Sequence, residues 1–198
     1  MRLGTKFVLL LYLTMAIPAC HKRSTAEAIP KPGGGGCPED MAWVAGAKVC
    51  MDLFEYPNAS GELPLTNVTY DQAIKLCKSK GKRLPTAREW TIACGGPNGT
   101  AYPYGEKYVK GACRVDQSYS TGPVPSGSMP KCVSVYGIYD MSGNVWEWTK
   151  SEGFEAGTKY VRGGSWLGFP SVATCTLNAW EPPAGGGKDY GFRCALKP

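Results

Sequence analysis

Residues 137–149 read Gly-Ile-Tyr-Asp-Met-Ser-Gly-Asn-Val-Trp-Glu-Trp-Thr. Glycines punctuate the string, and its tyrosine, valine, tryptophans and threonine favour extended backbone, so short strands are expected over residues 137–139 and 144–149. Similar short runs fall at residues 160–161 and 192–196. Around them the chain is rich in turn formers, with 26 glycines and 16 prolines in 198 residues. That excess points to a loop-rich fold with short elements rather than a helical bundle. The length suits one domain with a real core, and 43% apolar with 19% charged residues is ordinary for a globular protein.

Two helices interrupt the loops. Thr69-Tyr70-Asp71-Gln72 has capping-box spacing, and Tyr70, Ala73, Ile74 and Cys77 then share one helical face that should stop at Gly81. Thr86-Ala87-Arg88-Glu89 is a second box, with Trp90 and Ala93 on one face and Gly95-Gly96 as the stop. The run Lys75, Lys78, Lys80, Lys82 and Arg83 is read as a solvated face with cations near a helix C-terminus, in preference to an anion-binding patch.

The amino end reads as export. Arg2 and Lys6 precede an apolar stretch at residues 7–17, too short to span a bilayer but long enough for a signal peptide. Ile17-Pro18-Ala19-Cys20 resembles a bacterial lipobox, which makes residues 1–19 a signal peptide and Cys20 a lipidated residue that holds the protein to a membrane surface. Pro18 is less usual there and leaves cleavage by the ordinary signal peptidase open. Residues 20–36 are polar, with Pro30, Pro32 and four successive glycines, and read as a flexible tether. His21 rather than aspartate after the lipidated cysteine favours the outer over the inner membrane. Without residues 1–19 the chain carries 20 basic and 16 acidic groups, a mild +4 with no nucleic-acid signature. The sequons at Asn58, Asn67 and Asn98 are read as turn chemistry.

His21 is the only histidine, so the domain holds no Ser-His-Asp or Cys-His arrangement and no histidine-ligated zinc or iron site. With Cys20 set aside, eight cysteines remain: Cys37, Cys50, Cys77, Cys94, Cys113, Cys132, Cys175 and Cys194. An even number in an exported chain implies four disulfides, although spacing alone leaves 105 pairings open. There is no C-x-x-C pair, which argues against a zinc ribbon or a thioredoxin-like redox site.

Five blocks in order carry a family resemblance: Gly81-Lys-Arg-Leu-Pro-Thr-Ala-Arg-Glu-Trp90, Tyr102-Pro-Tyr-Gly105, the opening string, Arg162-Gly-Gly-Ser-Trp166 and Gly191-Phe-Arg-Cys194. Together they resemble the formylglycine-generating enzyme family, the sulfatase-modifying-factor domain, over roughly residues 41–198. The resemblance implies an α+β, irregular C-type-lectin-like fold with few short helices and strands, many loops and disulfide staples, occupying residues 37–198. Family enzymes oxidise a cysteine of a sulfatase with oxygen and copper held by two thiolates. Counted from Ser165, those two positions here are Gly168 and Ala173, so copper is not expected. Nor is there an arginine between Gly163 and Phe192, where the family usually places one or more around its peptide groove, and Lys188 is the only cation in that stretch.

Family spacing further implies Cys77 joined to Cys194 and Cys94 joined to Cys175, which makes Cys175 a staple rather than a shifted copper ligand. Cys37, Cys50, Cys113 and Cys132 are extra to the pattern. Of the three ways to join them, Cys37 with Cys50 and Cys113 with Cys132 closes the shortest loops and is preferred. The resemblance also implies a structural Ca²⁺ held by the side chains of Asp140 and Glu147 and the carbonyls of Gly143 and Val145, all hard oxygen donors. The family's other calcium site is expected to be lost, because Cys113 stands where an oxygen ligand is needed. Trp146, Ser165 and Trp166 are candidates to line a groove for a peptide or glycan, with buried packing as the alternative for the tryptophans, and Ser165 has no general base beside it.

These readings make the chain a membrane-anchored bacterial lipoprotein whose domain is a non-catalytic binding or structural module. Its expected partner is an envelope protein, a peptide or a glycan. A formylglycine-generating-type oxidase using shifted thiols, or a subunit that positions a catalytic partner, are the alternatives.

Overall fold

Both helices start at their capping boxes. In the computed structural model, which describes residues 32–115 and 122–198, α1 spans Tyr70–Ser79 and α2 spans Ala87–Gly95. Thr69 Oγ1 accepts from the Gln72 N–H while the Gln72 side chain accepts from the Thr69 N–H, and Thr86 and Glu89 repeat the exchange. Each box satisfies two of the donors a helix start leaves open. Gly81 follows α1 at φ 69° and Gly96 follows α2 at φ 66°, backbone that glycine adopts without a Cβ penalty. No helix among the described residues is long and apolar enough to cross a membrane, and the expected signal peptide, Cys20 and His21 lie outside those residues.

The strands form two small sheets. β1 (Met41–Val44) and β2 (Val49–Asp52) make an antiparallel hairpin, and β7 (Ala195–Leu196) adds to β2. In the second sheet β3 (Trp146–Glu152) lies between β4 (Lys159–Arg162), antiparallel to it, and β6 (Tyr190–Gly191), parallel to it, with β5 (Ala179–Glu181) beyond β4. The run expected as one strand at residues 192–196 is therefore two short pieces in different sheets. Phe192, Arg193 and Cys194 cross between them, all three buried. Residues 137–139 contribute only an isolated bridge, Tyr139 to Val133.

Two apolar clusters fill the interior. One gathers Val44, Val49, Met51, Trp90, Ile138 and Met141 between the hairpin and α2. The other gathers Tyr70, Leu84, Trp148, Val161 and Phe192 between α1 and the second sheet. A fully buried tryptophan such as Trp90 or Trp148 removes enough apolar surface from water to stabilise the fold by about 4 to 6 kcal/mol before ordering entropy. Disulfides run through both clusters: Cys94 is bonded to Cys175 in the first and Cys77 to Cys194 in the second. Cys37 is bonded to Cys50 and Cys113 to Cys132.

The packed body begins before residue 37. The Gly33 N–H donates to the Met41 carbonyl at 3.0 Å, Gly34–Gly36 form a single 3-10 turn, and a Cβ on Gly35 would meet the Trp43 ring at 2.4 Å. Gly35 thus lies against Trp43 of the hairpin, while Gly34 and Gly36 have open space where a Cβ would stand.

Candidate functional site

The string at residues 137–149 turns inward at Asp140, held at φ 60°, and runs into β3 with Asp140, Asn144 and Glu147 all buried. Gly143 is required there: at φ 79°, a Cβ would stand 2.2 Å from the Arg114 carbonyl oxygen. Glu147 accepts from Arg193 at both oxygens, 2.7 Å to Nε and 2.8 Å to a terminal nitrogen, and from the Trp90 indole N–H at 2.8 Å. Arg193 donates further to the carbonyls of Asp52, Leu53 and Tyr139. One guanidinium thus ties β2, the 137–149 string and β3 to the crossing between the sheets.

Two more carboxylates share this interior. Asp140 accepts from the Gly127 N–H at 2.6 Å. Glu55, fully buried, uses Oε2 to accept from Ser126 Oγ and from Asn144 Nδ2, each at 2.8 Å, while its Oε1 is buried without a partner. Three carboxylates therefore face one guanidinium. Burial, with the neighbouring charges of Asp140 and Glu147, raises the Glu55 carboxyl well above the usual carboxylate range, and burial pushes Asp140 up to about 6.

That surplus of negative charge bears on the expected calcium ligands. Asp140, Glu147 and the carbonyls of Gly143 and Val145 are hard oxygen donors, and an orphaned carboxylate oxygen lies close by, so the donors fit a divalent cation in type and charge. Glu147 would have to share its oxygens with Arg193 and Trp90. Among the described residues, no three histidine, cysteine, aspartate or glutamate side chains gather closely enough to hold a metal by themselves, so an ion here depends on the backbone carbonyls.

The family of sulfatase-modifying factor enzyme 1-like domains matches residues 21–198. The chain belongs to that family. It is 34% identical over 154 residues to the inactive C-alpha-formylglycine-generating enzyme 2 of Mus musculus, covering 68% of this chain and 49% of the mouse protein. It is 32% identical over 202 residues to the formylglycine-generating enzyme of Thermomonospora curvata, covering 81% of this chain and 66% of that enzyme. The chain spans about half the length of the inactive mouse and cattle relatives it matches. Among solved structures, CarF superposes with a TM-score of 0.62 at 19% identity, over 74% of this chain and 85% of its own. Treponema denticola variable protein 1 gives 0.61 at 20% identity, over 71% and 74%. At such identities the likeness is one of fold.

In this sulfatase-modifying-factor domain the loop after Ser165 is closed. Ala173 is fully buried, and its carbonyl accepts from Ser142 Oγ at 2.6 Å. A Cβ on Gly168 would meet a Val172 methyl at 2.8 Å, and one on Gly164 would meet Ala173 Cα at 2.8 Å. The two positions therefore hold a glycine and an alanine in a tightly packed loop, with no soft ligand on either, so the residues present do not fit copper. Cys175, two residues on, is bonded to Cys94.

The expected groove residues are near one another but covered. Ser165 and Trp166 are buried, and Trp146 is half-buried. Ser165 Oγ donates to Asp189 Oδ2 at 2.7 Å, Lys188 Nζ stands 5.2 Å from the centre of the Trp166 ring, and the Trp146 N–H donates to the Asp189 carbonyl. Lys188 and Asp189 thus lie against Trp166 and Ser165, and Asp189 meets Trp146 only through the main chain. Trp148 is in the core and Trp180 is half-buried on β5 against Phe154. The residues that the sequence left without a role are Glu55 and Arg193. Arg193 sits in the quoted Gly-Phe-Arg-Cys block, and a charged residue between Phe192 and Cys194, both apolar, was the available signal for a buried ion pair.

Proposed function

We propose that this chain is a non-catalytic binding or structural module of the sulfatase-modifying-factor type, exported and carried on lipid at Cys20 on a bacterial envelope membrane, the outer rather than the inner. One observation carries the non-catalytic reading: every cysteine among the described residues is bonded to another, while the positions that family copper thiols would take are Gly168 and Ala173. Copper chemistry of this type needs soft sulfur ligands, and none is free there. The inactive mouse and cattle relatives, at 34% and 33% identity, support the same direction. A structural calcium ion at Asp140, Gly143, Val145 and Glu147 belongs to this reading, as does an envelope protein, peptide or glycan as the partner.

Relatives named formylglycine-generating enzyme and hercynine oxygenase keep one rival, an oxidoreductase using thiols in new places. A thiol count on the full chain in denaturant without reductant separates the two. The expected result is no reactive thiol from the domain, no retained cuprous ion and no turnover of a cysteine-containing peptide. One equivalent of bound copper, or peptide turnover, overturns the proposal. For the anchor, mass spectrometry of the membrane fraction should find diacylglyceryl-modified Cys20 at the amino terminus, and Cys20→Ser should release the protein; an unmodified soluble product overturns it.

A further inference from the structure

The basic run near the end of α1 is divided by the fold. Lys82 Nζ bridges Asp40 at 2.9 Å and Asp52 at 2.7 Å, and Arg83 meets Glu89 as a fork with both contacts at 2.8 Å. Lys78 has no ion-pair partner among the described residues. Lys150, from the middle of β3, is brought into the same region because its N–H donates to the Pro85 carbonyl at 2.8 Å, and its ammonium is likewise unpaired among those residues. Between them lies a cavity of about 310 Å³ lined by Tyr70, Ile74, Lys78, Arg83, Leu84 and Lys150.

We propose that this cavity binds a carboxylate carried on a small apolar body, such as one aromatic ring, with the carboxylate between Lys78 and Lys150 and the body on Tyr70, Ile74 and Leu84. The volume is at the low end of ligand sites, which run from about 300 to 1,000 Å³, and suits one ring with a short chain. Charge selects the sign of the ligand. Glu89 is spent on Arg83, and Glu152 on Lys159, whose ammonium also stands 5.0 Å from the Tyr70 ring centre, so the positive charge of Lys78 and Lys150 is uncompensated. The lining narrows it further: the Arg83 fork is already engaged by Glu89, and Tyr70, Ile74 and Leu84 offer an apolar floor that a carboxylate on an apolar body can cover and a free inorganic anion cannot. The cavity stands whether or not the chain carries out redox chemistry. Both a free acid and the C-terminal residue of a peptide present this chemistry.

Titrating the full chain with 3-phenylpropionate by calorimetry tests the site, with the chain's total tryptophan fluorescence as a second readout, to which Trp148 contributes with its ring 6.0 Å from that of Tyr70. Saturable binding in the high-micromolar to low-millimolar range is expected. Lys78→Gln and Lys150→Gln should each weaken it about threefold to fivefold, as exposed charge pairs do, and together about tenfold. Ile74→Trp, which fills the cavity, should abolish it. The neutral 3-phenylpropanamide should bind at least tenfold more weakly. A short peptide ending in phenylalanine, compared with its C-terminal amide, identifies the source: binding of the free-acid peptide as well as 3-phenylpropionate admits a peptide terminus, and binding of 3-phenylpropionate alone restricts the site to small acids. Equal affinity for acid and amide, unchanged affinity in the double lysine variant, or no saturation by either acid up to about 20 mM overturns the proposal.

Discussion

Arg193 holds Glu147 at both carboxylate oxygens, at 2.7 and 2.8 Å, where neither side chain reaches solvent. The pair sits at the crossing between the sheets, and the same guanidinium reaches carbonyls on β2 and at Tyr139. Removing the cation alone strands a buried charge and several carbonyls. Arg193→Met should therefore destabilise the fold by about 3 to 5 kcal/mol, measured by denaturant unfolding. In the double variant with Glu147→Gln, part of that loss should return, because the carboxylate that Arg193 held directly is then neutral. Strictly additive losses would show that the two residues do not act as a pair.

The four disulfides close loops of very different length. Cys94–Cys175 spans 81 residues and Cys113–Cys132 spans 19, which in the chain-entropy model correspond to about 4.5 and about 3 kcal/mol. Cys94–Cys175 is also embedded in the cluster around Trp90. Replacing Cys94 and Cys175 by alanine should lower the unfolding midpoint more than replacing Cys113 and Cys132, when both variants are compared by thermal scans at one pH.

Local signals made the helices legible, because a capping box is complete within four residues. The β1–β2 hairpin carried a signal that went unread: Val44 and Val49 flank a loop with Gly46 and, at φ 53°, Lys48. What was not legible depends on partners far away in sequence. Lys82 reads as one more surface cation until Asp40 and Asp52 are folded against it. Phe192, Arg193 and Cys194 read as a single strand with their neighbours, yet each is committed separately, to the core, to Glu147 and to Cys77, and those commitments split the run between two sheets. Glu55 pairs with residues about 70 and 90 positions away, Ser126 and Asn144, which no local pattern records.

Asp52 gives a pH dependence with a definite sign. Burial raises its carboxyl from 3.8 to about 6, against the opposing pull of Lys82 and of the Cys194 N–H. Because the folded state holds this proton more tightly than the unfolded chain, the group's contribution to stability is greatest below pH 4 and declines as pH rises to about 6. Asp52→Asn removes that decline. The stability of the variant relative to the native chain should improve by about 2 to 3 kcal/mol between pH 4 and pH 7, because each tenfold difference in proton affinity between the folded and unfolded chain is worth about 1.4 kcal/mol. Denaturant titrations at the two pH values check it, and a difference independent of pH would refute the assignment.

Calcium, if bound as proposed, links to stability by mass action. At free ion 100-fold above its dissociation constant the fold should gain about 2.7 kcal/mol, which chelation removes. Asp140→Asn should abolish the response to chelator, while Lys150→Gln, on an exposed part of β3, should keep it. A melting temperature unaffected by both chelator and added Ca²⁺ would rule out a stabilising ion at this site.

Restoring cysteines to the loop after Ser165 should not restore a copper centre. Ala173 is sealed by Gly164 on one side and by the Ser142 hydroxyl on its own carbonyl, so a sulfur added there enters a filled interior. Gly168 is nearer the surface, but a side chain there must displace Val172. Overpacking of this kind costs about 1 to 3 kcal/mol. Gly168→Cys with Ala173→Cys should therefore melt earlier than the native chain and retain no cuprous ion in a competition assay with a chromophoric chelator. The loop's closure, and not only its missing sulfur, is then what separates this chain from a copper-binding arrangement; tight copper binding by the double variant would show that the thiols alone were lacking.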